Sequence, residues 1–212
     1  RVSAVLALCE QLGWLDALEA DEPEAFADDY SRAVKAGLSD DQDTLYPQVE
    51  RQFLELLGRY GTDEVKLYMQ EVIDYAERLT RAAIATLPDG VYRFEDWIDD
   101  DGIDVGKPIR LFVTLTKTGD SLSADWTGSS PQVKGAINNT LSYTKAATYC
   151  AVRSVLPPGI PNNEGVFRAI EVIAPPGTIA NVVLPGATAA RGLTGFRMVD
   201  CCFGALAMMV PD

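Results

Sequence analysis

Residues 91–126 read VYRFEDWIDDDGIDVGKPIRLFVTLTKTGDSLSADW, and this stretch decides the fold because its apolar residues recur at every second position. Successive side chains of a strand point to opposite faces, so Ile109, Leu111, Val113 and Leu115 share one face, as do Leu122, Ala124 and Trp126. Gly119 and Asp120 supply the tight turn between those two segments. Segments 91–98, 108–117 and 121–126 therefore read as an antiparallel meander.

On either side of this stretch the period returns to that of a helix. Val2, Val5, Leu8, Cys9, Leu12 and Leu15 step at three and four residues. Asp21 and Pro23 then open a second helix carrying Phe26, Tyr30 and Val34 and closed by Gly37. A third helix starts near Asp43 or Thr44, tolerates Pro47 in its first turn, and aligns Val49, Phe53, Leu56 and Tyr60 before Gly61. Thr62 is the expected cap of a fourth, with Asp63 and Glu64 at the positive end of its dipole. That helix carries Val65, Met69, Val72, Ala76, Leu79, Ala83 and Leu87 and stops at the PDG turn, 88–90.

Beyond the meander, the spacing predicts a helix over 140–156 with Leu141, Ala147, Cys150 and Val155 inward, and a rigid loop PPGIPNNEG at 157–165. A strand over 166–174, a weak strand near 179–184, and an apolar helix from about Phe196 complete the chain. The class is α+β, with a helical region at 1–87 and a β meander plus mixed α/β region at 88–212.

Composition narrows the chemistry. A formal charge of −13 and a pI near 4.4 disfavour a phosphate backbone or an anionic membrane surface, so neither nucleic acid nor a membrane is an expected partner. The apolar run near 201–210 reads as too short to cross a bilayer. There is no histidine, which removes the Ser-His-Asp and Cys-His relays and the commonest transition-metal ligand. The cysteines, Cys9, Cys150, Cys201 and Cys202, have no metal-site spacing; three of the four fall in helical apolar patterns and read as buried thiols of a reducing, cytoplasmic compartment. A first residue Arg1 and a final MMVPD just after an apolar helix lead us to expect a piece of a longer polypeptide.

Two apparent motifs fail on geometry. Aligning Gly102 of DDDGID (99–104) with the glycine of a calcium loop puts Trp97 and Pro108 where oxygen ligands are needed, so this is a solvated hairpin connection. SYTK (142–145) and KTG (117–119) occur in the reverse of the penicillin-binding order, without an SDN element. More promising is DWTGSSPQVKGAINNT, 125–140, a polar loop leading into a helix that Asn138 or Asn139 could cap. Ser129, Ser130 and Gln132 offer donors there and Asp125 a carboxylate; equally, Gly128, Pro131 and Gly135 could shape a turn whose polar groups only satisfy its backbone. A second polar group comprises Asn162, Asn163, Arg191, Arg197 and Asp200, whose arginines could clamp an anion or pair with Asp200 or Glu171.

The ordered segments DWTGSSPQVKGAINNT, RSVLPPGIPNNEGVFRAIEVIAPPGTIAN (153–181) and ARGLTGFRMVDCCFGALA (190–207) closely resemble the hydantoinase B/oxoprolinase family. So does RYGTDEV with the 75–103 segment before them, extending the likeness from about residue 42. The resemblance implies the B-type component of an ATP-dependent cyclic-amide hydrolase of the hydantoinase or 5-oxoprolinase kind, or a subunit of a related acetone or acetophenone carboxylase. It implies a hetero-oligomer with an A-type, actin-like ATPase that uses ATP and Mg to phosphorylate the substrate, a small cyclic amide or ketone. The carboxylase branch implies a metal, Mn or Zn, held upstream by histidine and carboxylate; no metal ligand is expected in this histidine-free chain. Where the hydantoinase branch implies a GGNxxTSQR-like stretch, this chain has ARGLTGFR, 190–197. The implied pocket comprises Asp125, Ser129 and Ser130 as catalytic candidates, with Gln132, Asn138, Asn162, Arg191 and Arg197 binding substrate. A different class remains open: a scaffold and docking module, with catalysis elsewhere.

Overall fold

A computed structural model describes residues 42–209, with side chains from residue 49. The two helices expected before residue 41, and Cys9 with them, lie outside the described residues. Internal contacts divide the chain into two units, one containing 42–76 with 161–164, the other 77–160 with 165–209.

The first unit contains α1 (Gln42–Tyr60) and most of α2 (Thr62–Ala85). Gly61, at φ 80°, separates the two helices in the left-handed conformation that glycine adopts without a Cβ penalty. The first bond of α2 runs from Val65 N to Gly61 O at 3.2 Å, so Thr62 is the first helical residue rather than the expected cap. Asp63 and Glu64 stand in the first turn, where the dipole favours them. The period-3.6 apolar positions Phe53, Val65, Met69, Ile73 and Ala76 are buried.

The second unit is built on the meander. β1 (Gly90–Ile98), β2 (Ile109–Thr118) and β3 (Ser121–Asp125) pair antiparallel in sequence order. A fourth strand, β4 (Ile170–Ile173), adds parallel to β3, making a mixed sheet in the order β1-β2-β3-β4. β2 alternates as the sequence requires: Ile109, Leu111, Val113 and Leu115 are buried, whereas Arg110, Phe112, Thr114 and Thr116 lie on the opposite face. On the buried side α5 (Arg191–Met209) lies across β1 and β2 and packs on α3 (Leu141–Val155). Gly204 permits the close approach of α5, since a Cβ there would stand 2.5 Å from Phe94 Cγ. At the meander's turn the Lys117 side chain is buried, and its ammonium pairs with Asp89 Oδ1 at 2.8 Å, a contact that also holds the carboxyl of Asp89 below its ordinary range.

Several expectations are corrected. The 166–174 segment is a short helix, α4 (Glu164–Phe167), followed by a four-residue strand. No strand forms at 179–184, where Thr178 makes only isolated bridges to Pro131 and Asn181. Helix α5 begins five residues before Phe196. Its 19 residues have the length and mean hydropathy, 1.2, to cross a bilayer, but Met198, Cys201, Cys202, Ala205 and Leu206 pack into the core. The inward face of α3 is also different: Thr144, Ala147, Thr148, Ala151 and Val152 are buried, whereas Cys150 and Val155 are exposed. Its threonines turn inward because partners await them: Thr144 Oγ1 donates to Ala180 O, and Thr148 Oγ1 accepts from Trp126 Nε1 at 3.2 Å. Of the described thiols only Cys201 and Cys202 are buried.

Candidate functional site

The loop after β3 is an extension of the sheet made from side chains. β3 ends where Asp125 pairs with Thr114, yet Phe112 and Arg110 of β2 still present backbone groups in that direction. Ser129 Oγ accepts from Phe112 N at 3.1 Å and donates to Phe112 O at 3.2 Å. Ser130 Oγ accepts from Arg110 N at 2.9 Å, while Ser130 N donates to Arg110 O at 2.9 Å. The two serines thus stand where strand partners would have stood. Gln132 does the same for the 183 region, accepting from Val183 N at 2.8 Å and donating to Val183 O at 3.1 Å.

Asn138 is fully buried and saturated. Its Oδ1 accepts from Val133 N at 2.8 Å, and its Nδ2 lies within 3.0 Å of the carbonyls of Val133, Gly135 and Ala187. It therefore ties the loop to the 187–190 segment, which Ala190 N reinforces by donating to Ala136 O at 2.7 Å. Neither asparagine caps α3; Thr140 does, its Oγ1 accepting from Tyr143 N. Asn139 is buried, with Nδ2 on Met198 Sδ and an Oδ1 that has no partner among the described residues. Asp125 Oδ1 accepts from Thr127 N at 2.8 Å, an Asx turn that starts the loop.

The acidic connection between β1 and β2 is consumed in organising itself and the loop. Asp101 Oδ1 accepts from Ile103 N and Asp104 N at 2.9 and 2.6 Å, and Oδ2 reaches Gly135 N at 2.9 Å. These N–H donors pull its carboxyl down to about 2, the bond from Asp104 N contributing most. Gly135 has to be glycine for this contact, because a Cβ would overlap the carbonyl oxygen of Asp101. Lys134 and Lys107 both pair with Asp104, at 3.0 and 3.3 Å, and hold its carboxyl low. A shallow open groove of about 290 Å³ runs here, with Ser130, Gln132, Asp101, Asp104, Lys107 and Lys134 in its walls.

The remaining candidates lie elsewhere. Asn162 is exposed and belongs to the first unit. Arg197 is committed to Asp96 at 2.6 Å and to Asp200 at 3.7 Å. Arg191, the exposed first residue of α5, makes no ion pair among the described residues. One of its N–H groups donates to Thr188 O at 3.3 Å, and its guanidinium stands 5.5 Å from the centre of the Tyr143 ring. It does not line the groove of Ser130 and Gln132. Tyr143 was missed by sequence reasoning, which met it only inside SYTK; its signal is the pair Gly192 and Gly195, one turn apart, against which the ring packs. Among the described residues no group of three or more His, Cys, Asp or Glu is placed to hold a metal.

Fold and site thus combine a mixed sheet, a latched polar loop and an arginine that makes no ion pair among the described residues. Residues 46–212 match the family described as Hydantoinase B/oxoprolinase, and the chain belongs to that family. A protein assigned as the B-type component of a D-/L-hydantoinase, from Pseudomonas sp. (strain NS671), is 35% identical over 171 residues, 76% of this chain and 29% of that protein. The 5-oxoprolinase of Dictyostelium discoideum is 31% identical, over 72% of this chain and 13% of its own. Among solved structures, the ATP-dependent caprolactamase of Pseudomonas jessenii aligns with a TM-score of 0.72 and 28% identity, covering 81% of this chain and 30% of that one. The chain therefore spans less than a third of the length of each of these relatives.

Proposed function

We propose that this chain is part of the B-type component of an ATP-dependent cyclic-amide hydrolase, acting on a substrate that an A-type, actin-like ATPase has activated by phosphorylation. The observation that carries the reading is the 35% identity to a B-type hydantoinase component, supported by the caprolactamase fold match. Phosphorylating an amide oxygen makes a poor electrophile reactive, and the protein must then hold an anion away from water until it reacts. Arg191 is the group best suited to that anion. Its charge is not cancelled by a carboxylate among the described residues, and a guanidinium matches phosphate in a forked, two-point contact. ATP and Mg would reside on the partner, and any Mn or Zn outside this chain.

In this reading Ser130 and Gln132 face a groove while also bracing it, and Asp125 offers a carboxylate at its strand end. A second reading is favoured by a specific observation: Ser129, Ser130, Gln132 and Asn138 all spend hydrogen bonds on the backbone, as a scaffold's residues would. The assembled B component and its ATPase partner should turn over a hydantoin, 5-oxoproline or a lactam only with ATP. Failure on all three, with turnover of a ketone and bicarbonate instead, would assign the chain to the carboxylases. Unchanged turnover in Asp125→Ala and Arg191→Ala would remove both residues from the site.

A further inference from the structure

We propose that Tyr143 is a positioning residue whose ring holds the Arg191 guanidinium in its anion-binding pose; the inference rests on the reading of Arg191 given above. Arg191 begins α5 and is exposed, so its long side chain would otherwise sample many rotamers and lose that freedom on binding an anion. Two contacts restrain it. Thr188 O accepts one of the five guanidinium donors, and the face of Tyr143 attracts the cation from 5.5 Å. Among the described residues no other group takes the remaining donors, which are left for a ligand.

The ring itself is fixed by α5. A Cβ on Gly195 would overlap Tyr143 Cε1, and one on Gly192 would stand 3.7 Å from the phenol oxygen. Both glycines have ordinary negative φ, so neither is required by backbone conformation. Gly195 supplies the notch at the place where the ring of α3 enters α5, whereas at Gly192 a side-chain carbon would make only ordinary contact with the phenol oxygen. The arginine one residue before Gly192 is then carried over the ring. RGLTG is thus read as a seat for an aromatic ring with its cation attached, and Tyr143 belongs to the same device although it lies 48 residues upstream of Arg191 (191 less 143).

Inorganic phosphate is the probe. The full chain is titrated and phosphate binding followed by phosphorus NMR, in the wild type and in Arg191→Ala, Tyr143→Leu, Tyr143→Phe and Gly195→Ala. Arg191→Ala should weaken binding about tenfold or more, the loss of a charge-assisted contact. Tyr143→Leu should weaken it about three- to tenfold, the loss of a cation–π restraint, and Tyr143→Phe should stay within about twofold of wild type, because the ring remains. Gly195→Ala, which displaces the ring without removing it, should follow Tyr143→Leu. A purely structural tyrosine would lower the melting temperature of Tyr143→Leu and leave phosphate affinity unchanged, and that result overturns the positioning role while leaving Arg191 as the anion site. Equal losses in Tyr143→Phe and Tyr143→Leu would also overturn it, since the hydroxyl rather than the ring would then be responsible. Absence of phosphate binding by the wild type, or wild-type affinity in Arg191→Ala, overturns the anion-site reading itself.

Discussion

Replacing Ser129 by alanine separates a catalytic hydroxyl from a structural one. The side chain is 8% exposed, and its hydroxyl is the hydrogen-bond partner of both backbone groups of Phe112, at 3.1 and 3.2 Å. Alanine removes the hydroxyl and leaves the N–H and C=O of Phe112 unpaired beside β3. Each buried backbone group without a partner costs roughly 1–3 kcal/mol, so partial access of water at this half-buried edge puts the expected loss at about 2–4 kcal/mol. Ser130→Ala should cost less, about 1 kcal/mol, because only Arg110 N loses its acceptor and the Ser130 N to Arg110 O bond is backbone and survives. Urea titrations at 25 °C, read by far-ultraviolet circular dichroism, give both values from the shift in midpoint at constant slope. Turnover by the assembled enzyme, measured where the variants remain folded, completes the comparison. Wild-type stability in Ser129→Ala together with abolished turnover would refute the latch reasoning and return the hydroxyl to the chemistry.

Three further outcomes are expected. The carboxyl of Asp101 is depressed to about 2 by donors from Asp104, Gly135 and Ile103, so its contribution is fully present above the unfolded value near 4. It is lost as pH falls through the folded value; wild type and Asp101→Asn should therefore converge in stability as pH drops from about 4 to about 2 and differ at neutrality, which acid titration of both proteins checks. Burial pushes the Cys201 thiol up to about 12 and raises Cys202 as well, so with a disulfide reagent at pH 8 the exposed Cys150 should react in the native protein, and Cys201 and Cys202 only after denaturant is added. Trp126→Ala should cost about 3–5 kcal/mol, since the side chain is fully buried and also donates to Thr148; a calorimetric melt showing less than about 1 kcal/mol would mean the sheet closes over the cavity.

Legibility in the sequence followed the range over which each interaction acts. Periodicity is local, so the α1 and α2 helices, the three-stranded meander and its Gly119–Asp120 turn could be read directly. The strand read over 166–174 is real only as β4, Ile170–Ile173, and its parallel partner β3 was not legible, because pairing to a strand more than 40 positions earlier (170 less 125) leaves no local pattern. The buried face of α3 is not its most apolar one. Thr144 and Thr148 are inward because Ala180 O and Trp126 Nε1 meet them there.

What the sequence by itself determined is the α+β class, a set of candidate side chains that contains no histidine, and membership of the Hydantoinase B/oxoprolinase family through long motifs in a fixed order. Only the tertiary structure decided how the polar side chains are spent. Ser129 meets Phe112 across 17 residues, Gln132 meets Val183 across 51, and Arg197 meets Asp96 across 101, whereas Arg191 rests on a ring. A donor's availability depends on which acceptors the fold brings to it, and in this loop those acceptors are backbone groups far along the chain, which carry no signature in residue identity.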